Sequence, residues 1–202
     1  MKIIDPNISY TFSKIFDLNA EIDEIVSDFG YTLNLTKLNL PQFQGELNRL
    51  DELRERIEEI LPFVILSTEI ARREILVSRV IAEVIHYTHA QLRIEYPLKV
   101  SEQLQGTLDY LLRKDNQVVV IEAKKENFVS GMKQLAVEII ALDQWIDSDQ
   151  DLILGALTTG NLWQFAQLNR QKKNIQQGLE NYRVPEDLDP LMRIFVQALT
   201  PK

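Results

Sequence analysis

The sequence predicts an α/β domain, a β-sheet flanked by helices, behind an N-terminal helical extension. Over residues 67–88 the apolar positions recur at helical spacing, and over residues 93–123 they give way to short runs rich in β-branched and aromatic residues, split by polar turns. From residue 130 onward the two kinds of segment alternate. The chain of 202 residues is long enough for one such domain with a full core, and its 45% apolar and 26% charged residues are those of an ordinary folded protein.

Residues 1–62 read as helical and mostly polar. Residues 19–29 carry the apolar spacing of one short helix, which Gly30 can stop. After Pro41, Leu47, Leu50, Leu53, Ile57 and Ile60 recur at three- and four-residue intervals with Glu and Arg between them, as an amphipathic helix requires, and Pro62 ends it. This part shows no chemistry of its own; packing on the rest of the fold, or on a second copy, is its expected role. Residues 67–88 form a longer helix that Ser67 or Thr68 can cap. Residues 93–100 (RIEYPLKV), 107–113 (TLDYLLR) and 117–123 (QVVVIEA) read as strands, and residues 130–145 as a helix. Residues 152–158 and 162–168 form a hairpin across Thr159-Gly160-Asn161, and residues 190–199 a closing helix. Neither a repeat nor a flexible linker divides the chain, so one domain is expected over residues 63–202, behind the extension of residues 1–62.

Composition narrows the function classes. The absence of cysteine removes disulfides, thiolate nucleophiles and zinc–thiolate sites, and fits a reducing compartment. The opening lacks a basic region leading into an apolar core, and no apolar run approaches the ~20 residues of a membrane helix, so a cytoplasmic protein without a membrane partner is expected. A net charge of −8 argues against a broad nucleic-acid-coating surface. The acidity lies outside the middle, however: residues 91–135 carry 7 basic and 6 acidic groups. The scattered glycines form no phosphate-binding loop, and ATP is not implied.

The chemistry concentrates at the second and third strands. If Asp115-Asn116 is a two-residue hairpin turn, Lys114 pairs with Gln117, and counting outward places Asp109 opposite Glu122. Directly opposed residues project from one face with Cβ atoms about 5 Å apart, and Lys124, two residues beyond Glu122, shares that face. The neighbours Val118, Val119, Val120, Ile121 and Ala123 are all apolar, as in a strand covered on both sides. Two carboxylates so close repel unless a cation lies between them, and an oxygen-lined pair suits Mg²⁺ or Mn²⁺. A cation there can polarise a phosphoryl oxygen and acidify a water, with the lysine stabilising what attacks or departs, which is phosphodiester hydrolysis. Spacing alone leaves a plainer role open, an ordinary salt bridge at the polar end of a hairpin.

The segments Gly106-Thr107-Leu108-Asp109-Tyr110 and Val120-Ile121-Glu122-Ala123-Lys124-Lys125 resemble the core hairpin of the PD-(D/E)XK nuclease superfamily. Leu108 stands where the superfamily name has its proline. The resemblance implies a restriction-endonuclease-like fold with a mixed central sheet, metal ligation by Asp109 and Glu122, and a catalytic Lys124. Two further features are similar to the N-terminal nuclease region of type I restriction enzyme motor subunits. Gln134 follows Lys124 by ten residues, as in a Gln-x-x-x-Tyr motif that orients substrate, although Glu138 replaces the tyrosine. The segment Gly160-Asn161-Leu162-Trp163-Gln164-Phe165 is similar to a hairpin whose role is structural. The superfamily commonly adds a carboxylate from the helix before the sheet, which points to Glu69 as a further ligand. Glu83, fourteen residues on and on nearly the same face, competes with it, and Glu74 is less favourably placed. The resemblance covers about residues 67–166. It implies a Mg²⁺- or Mn²⁺-dependent DNA nuclease of restriction or defence, with a second copy or a motor or specificity subunit as partners.

Other residues carry less. His86 and His89 have metal-binding spacing, but no third nitrogen or sulfur ligand accompanies them. The cluster Arg170, Lys172 and Lys173 reads as a solvated loop, and Trp145 and Trp163 as core or interface aromatics. Two rival readings remain: a catalytically silent nuclease-like module that binds nucleic acid or a protein partner, and an assembly protein built on the N-terminal helices.

Overall fold

The change of period after Thr88 marks entry into a β-sheet in a computed structural model of the chain, which describes residues 2–124 and 127–200. Strands β2 (Gln91–Ser101), β3 (Leu104–Lys114), β4 (Gln117–Ala123), β5 (Leu152–Thr158) and β6 (Leu162–Asn169) fall on the five segments that the alternation predicts. Two more complete the sheet, β1 (Thr32–Thr36) and β7 (Asn174–Arg183), in the order β1-β7-β6-β5-β4-β3-β2. The sheet is mixed. Pairs β4–β5 and β1–β7 are parallel and the remaining pairs antiparallel.

Helices cover both faces. On one side lie α3 (Leu50–Ile60), α5 (Ser78–Thr88) and α7 (Leu188–Leu199), whose Leu53, Ile57, Val80, Ile81, Leu191 and Phe195 pack on Tyr110, Leu112, Val119, Ile121 and Phe165. On the other, α1 (Phe12–Phe16), α2 (Ile22–Asp28) and α6 (Phe128–Trp145) pack on Leu111, Val118, Val120, Ile153 and Leu157. Strand β4 therefore feeds both cores in alternation and is buried along all but its first residue, which explains why it has no polar face. Helix α6 is the crossover that makes β5 parallel to β4, and α1 and α2 cover its outer side; every residue from Gly131 to Leu142 is buried.

Residues 1–62 are therefore not set apart as a helical extension. They add an edge strand, cover α6 with α1 and α2, and place α3 against α7. Three elements escaped the periodicity for a common reason. Strand β1 is five residues with little burial, β7 (NIQQGLENYR) has few β-branched residues, and α1 is barely more than one turn. The first two exist because a neighbouring strand satisfies their backbone, and α1 because Phe12 is buried beneath Gly106 and Thr11 caps it.

The predicted helix of residues 67–88 is interrupted. Thr68 caps α4 (Glu69–Arg72) by accepting from the Ala71 backbone N–H, and a π-helical turn, Arg73–Val77, joins α4 to α5. Such wide turns accompany functional sites, and this one opens on Arg73.

Gly106 has a backbone φ of +154°, and a Cβ there would lie 2.6 Å from the Phe12 ring and 3.0 Å from its backbone nitrogen. Gly106→Ala should therefore unseat α1 and destabilise the fold by about 1–3 kcal/mol, as overpacking does. Thermal denaturation followed by circular dichroism reads this as a fall of several degrees in the melting midpoint; an unchanged midpoint would mean that α1 is not seated on β3.

Candidate active site at the ends of strands β3 and β4

The Asp115-Asn116 turn sets the register as counted from the sequence. Lys114 pairs with Gln117, Arg113 with Val118, and so on to Tyr110 with Ile121. Backbone pairing stops there, one step before Asp109 and Glu122. The Asp109 carboxylate instead accepts the Ala123 N–H at 2.8 Å through Oδ2. Beyond this point β4 is held by β5, with Glu122 paired to Leu157 and the Lys124 N–H donating to the Thr158 carbonyl at 2.8 Å. Side-chain alternation in β3 also slips here, since Leu108 and Leu111 both pack in the α6-side core. Lys125, the last residue of the motif, lies outside the described residues.

Glu122 projects into the α6 layer with no solvent exposure. Its Oε1 is 2.5 Å from the Lys124 ammonium and accepts from the Gln134 side-chain amide at 2.7 Å. That amide also donates to Glu138 Oε1 at 2.9 Å, one helical turn further along α6. Asp109, Glu122, Lys124 and Gln134 are thus brought together, and Glu138 joins them. The Lys124 ammonium also lies 5.2 Å from the centroid of the Phe16 ring, so α1 forms one wall. Gln134 turns inward to hold two carboxyl groups, a different task from the substrate contact that the motif implies.

Burial dominates the electrostatics. It pushes the Glu122 carboxyl up to about 7, with the Asp109 charge adding to the effect. Glu138 is held well above the usual carboxylate range by its complete burial and then by Glu122. Asp109 is raised by burial, against the opposing pull of the Ala123 N–H and of Arg73. Burial alone would lower Lys124, but the carboxylates around it, Glu122 foremost, hold it above its ordinary value. Among the described residues, Glu122 Oε2 and Glu138 Oε2 are buried without a hydrogen-bond partner. A proton retained on Glu138 would remove the repulsion between the two groups and turn one carboxyl oxygen into a donor.

The oxygen-only donors of Asp109, Glu122, Glu138 and the unpartnered Gln134 Oε1 have the chemistry that a hard divalent cation takes. As folded, the positive charge at these carboxylates comes from side chains: Lys124 on Glu122 and Arg73 on Asp109. Among the described residues no three His, Cys, Asp or Glu side chains already converge as a metal site.

Arg73 was not legible in the sequence. Its guanidinium donates to the Tyr110 hydroxyl at 3.0 Å and to Glu95 at 2.6 Å, faces Asp109 Oδ1 at 3.5 Å, and stacks over the Tyr110 ring. Nothing in a helical pattern distinguishes Arg73 from Arg72, which serves to fasten α4 to the Leu66 and Thr159 carbonyls. Glu138 did carry a signal, as the lone acid in a run of apolar residues along α6.

The helix carboxylates part company. Glu69 lies in the first turn of α4, half-buried, and among the described residues its side chain makes no hydrogen bond or ion pair with the cluster. Glu83 is buried on the α5–α7 side and paired with Arg49 at 3.3 Å, away from the site. Glu74 is felt there, its charge adding to the burial that raises Tyr110. His86 is engaged with Arg49, and His89 ends α5 in a left-handed conformation. Arg170 is bound to Asp143 and to carbonyls at the end of α6, so it is a structural clamp. Trp163 is a core residue, its indole N–H bonded to the Gly160 carbonyl. A cavity of about 250 Å³ opens at the other end of β4 and β5 between Leu40, Asp149, Asp151 and Ile194, and among the described residues its lining contains no basic side chain. No family model and no curated protein matches the chain.

The raised carboxyls have a consequence for stability. Glu122, whose ordinary value is 4.5, sits at about 7 in the fold, so between those values the folded chain binds more protons than the unfolded one. Metal-free protein should therefore lose stability as pH rises from about 4.5 through 7, and Glu138→Gln, which cannot ionise, should flatten that decline. Melting midpoints across this range, compared between wild type and variant, measure it; parallel curves would show that the two carboxyls share no proton.

Proposed function

We propose that this chain is a metal-dependent nuclease that hydrolyses phosphodiester bonds of DNA. The observation that carries the proposal is the meeting of Asp109, the buried Glu122 and Lys124 at the ends of paired strands. The resemblance of these segments to the PD-(D/E)XK core hairpin supports the same reading, and its likeness to type I motor-subunit nuclease regions supports a restriction or defence role beside a motor or specificity subunit. A second copy of the chain is the natural partner for cutting both strands.

Asp109 and Glu122 would hold Mg²⁺ or Mn²⁺, with Glu69 or Glu74 the candidates for a further ligand. A bound cation supplies the Lewis acid that polarises the phosphoryl oxygen and acidifies a water. Lys124, released from Glu122, directs its ammonium to the charge developing on the phosphate. Gln134 keeps Glu122 in place, and Glu138 holds a proton against it while the site is empty of substrate. Phe16 and the α6 layer cover much of the lysine, which strengthens each of these interactions.

The second reading, a catalytically silent module that binds nucleic acid or a protein partner, draws on one observation: Lys124 and Arg73 already neutralise the carboxylates.

The two readings separate on cleavage of linear, circular and single-stranded DNA with Mg²⁺ or Mn²⁺. Metal-dependent cutting that EDTA abolishes is expected, and Lys124→Ala should lower its rate by about 10²–10³-fold, the loss typical of removing one transition-state contact. Wild-type protein that binds no divalent cation and cuts no DNA would leave the silent module as the function.

A further inference from the structure

We propose that Arg73 is the resident counter-ion of Asp109 and sets the affinity of the site for a divalent cation. It is a positioning residue that acts through Asp109, so its role rests on the proposal that Asp109 is a metal ligand.

The geometry distinguishes Arg73 from a chance ion pair. Only 17% of its side chain is exposed, and all three of its nitrogens face named groups. The shorter contacts, 3.0 Å to Tyr110 and 2.6 Å to Glu95, fix the guanidinium, whereas Asp109 Oδ1 stands 3.5 Å away, beyond a good hydrogen bond. The other oxygen, Oδ2, is already bound to the Ala123 N–H. Among the described residues, Asp109 is thus neutralised by charge while one of its oxygens accepts no hydrogen bond.

The backbone on both sides is shaped to hold this arrangement. Arg73 opens the π-helical turn, and Glu95 lies across from Asp109, between the Ile94–Tyr110 and Tyr96–Leu108 pairs, with a positive φ of 52°. Non-glycine residues rarely adopt that conformation, and its cost is offset where surrounding contacts require it. Glu95 therefore acts as a tether that shares Arg73 with Asp109. An arriving cation meets Arg73 across Asp109 and is repelled by it, and the stronger the hold of Glu95, the weaker that repulsion.

Binding of Mn²⁺, followed by the loss of free-ion signal in electron paramagnetic resonance, tests this without any substrate. Arg73→Gln should bind Mn²⁺ roughly tenfold more tightly than wild type, because a unit charge a few ångström from a divalent ion is removed. Arg73→Lys should stay near wild type. Glu95→Gln alters a half-exposed side chain and keeps the test intact if Arg73→Gln fails to fold; it should weaken binding several-fold, and should have little effect in an Arg73→Gln background. Unchanged or weaker binding by Arg73→Gln, or unchanged binding by Glu95→Gln, overturns the role of Arg73. If Asp109→Asn abolishes binding in the same series, the metal site itself survives that result. If wild type and every variant leave Mn²⁺ free, the metal-site reading falls together with this one.

Discussion

A carboxyl group without solvent contact, Glu122, stands in a strand buried along all but its first residue, and the surrounding structure answers to it. An isolated carboxylate there would cost several kcal/mol, so it must be neutralised, paired or hydrogen-bonded. All three occur. Burial raises its carboxyl and that of Glu138 towards the neutral form, Lys124 supplies the charge and Gln134 the hydrogen bond. This is why the buried, mostly apolar stretch of α6 carries an amide and an acid one turn apart on the side facing β4. It is also why Gly131 lacks a side chain: a Cβ there would stand 2.8 Å from Leu157 and 3.3 Å from the Lys124 stem.

The elements farther out serve the same cluster. The β5–β6 turn, with Gly160 at φ +89° and its carbonyl bound to Trp163, receives the Arg72 side chain and so anchors α4. With Arg72 fixed, the wide turn that follows delivers Arg73 to the opposite side of β3 from α6, against Tyr110 and Asp109. Helix α1, seated on Gly106, brings Phe16 over Lys124. Arg73 thus approaches the carboxylates from one helical layer and Lys124 from the end of β4 beneath the other.

The two ends of β4 and β5 differ in character. Their carboxyl ends carry the charged cluster, and ligands of α/β sheets gather at the carboxyl ends of parallel strands. The other end opens on a cavity with acids at its rim and, among the described residues, no base in its lining.

Much of this was determined by the sequence alone, because it depends on local order. Period and turn chemistry located five of the seven strands and the helices longer than two turns, and one two-residue turn, Asp115-Asn116, set the β3–β4 register as far as Tyr110 and Ile121, one step short of Asp109 and Glu122. Only the tertiary structure decided the rest. Strands β1 and β7 are polar and owe their existence to a neighbour's backbone. The N-terminal residues are woven into both helical layers, since burial depends on what lies opposite and not on a segment's own pattern. Arg73, Glu95 and Glu138 reached the site by packing across 65 positions of chain, from 73 to 138, and no local pattern encodes a meeting at that separation. The sequence determined which groups could do the chemistry; the fold decided which of them share their charge.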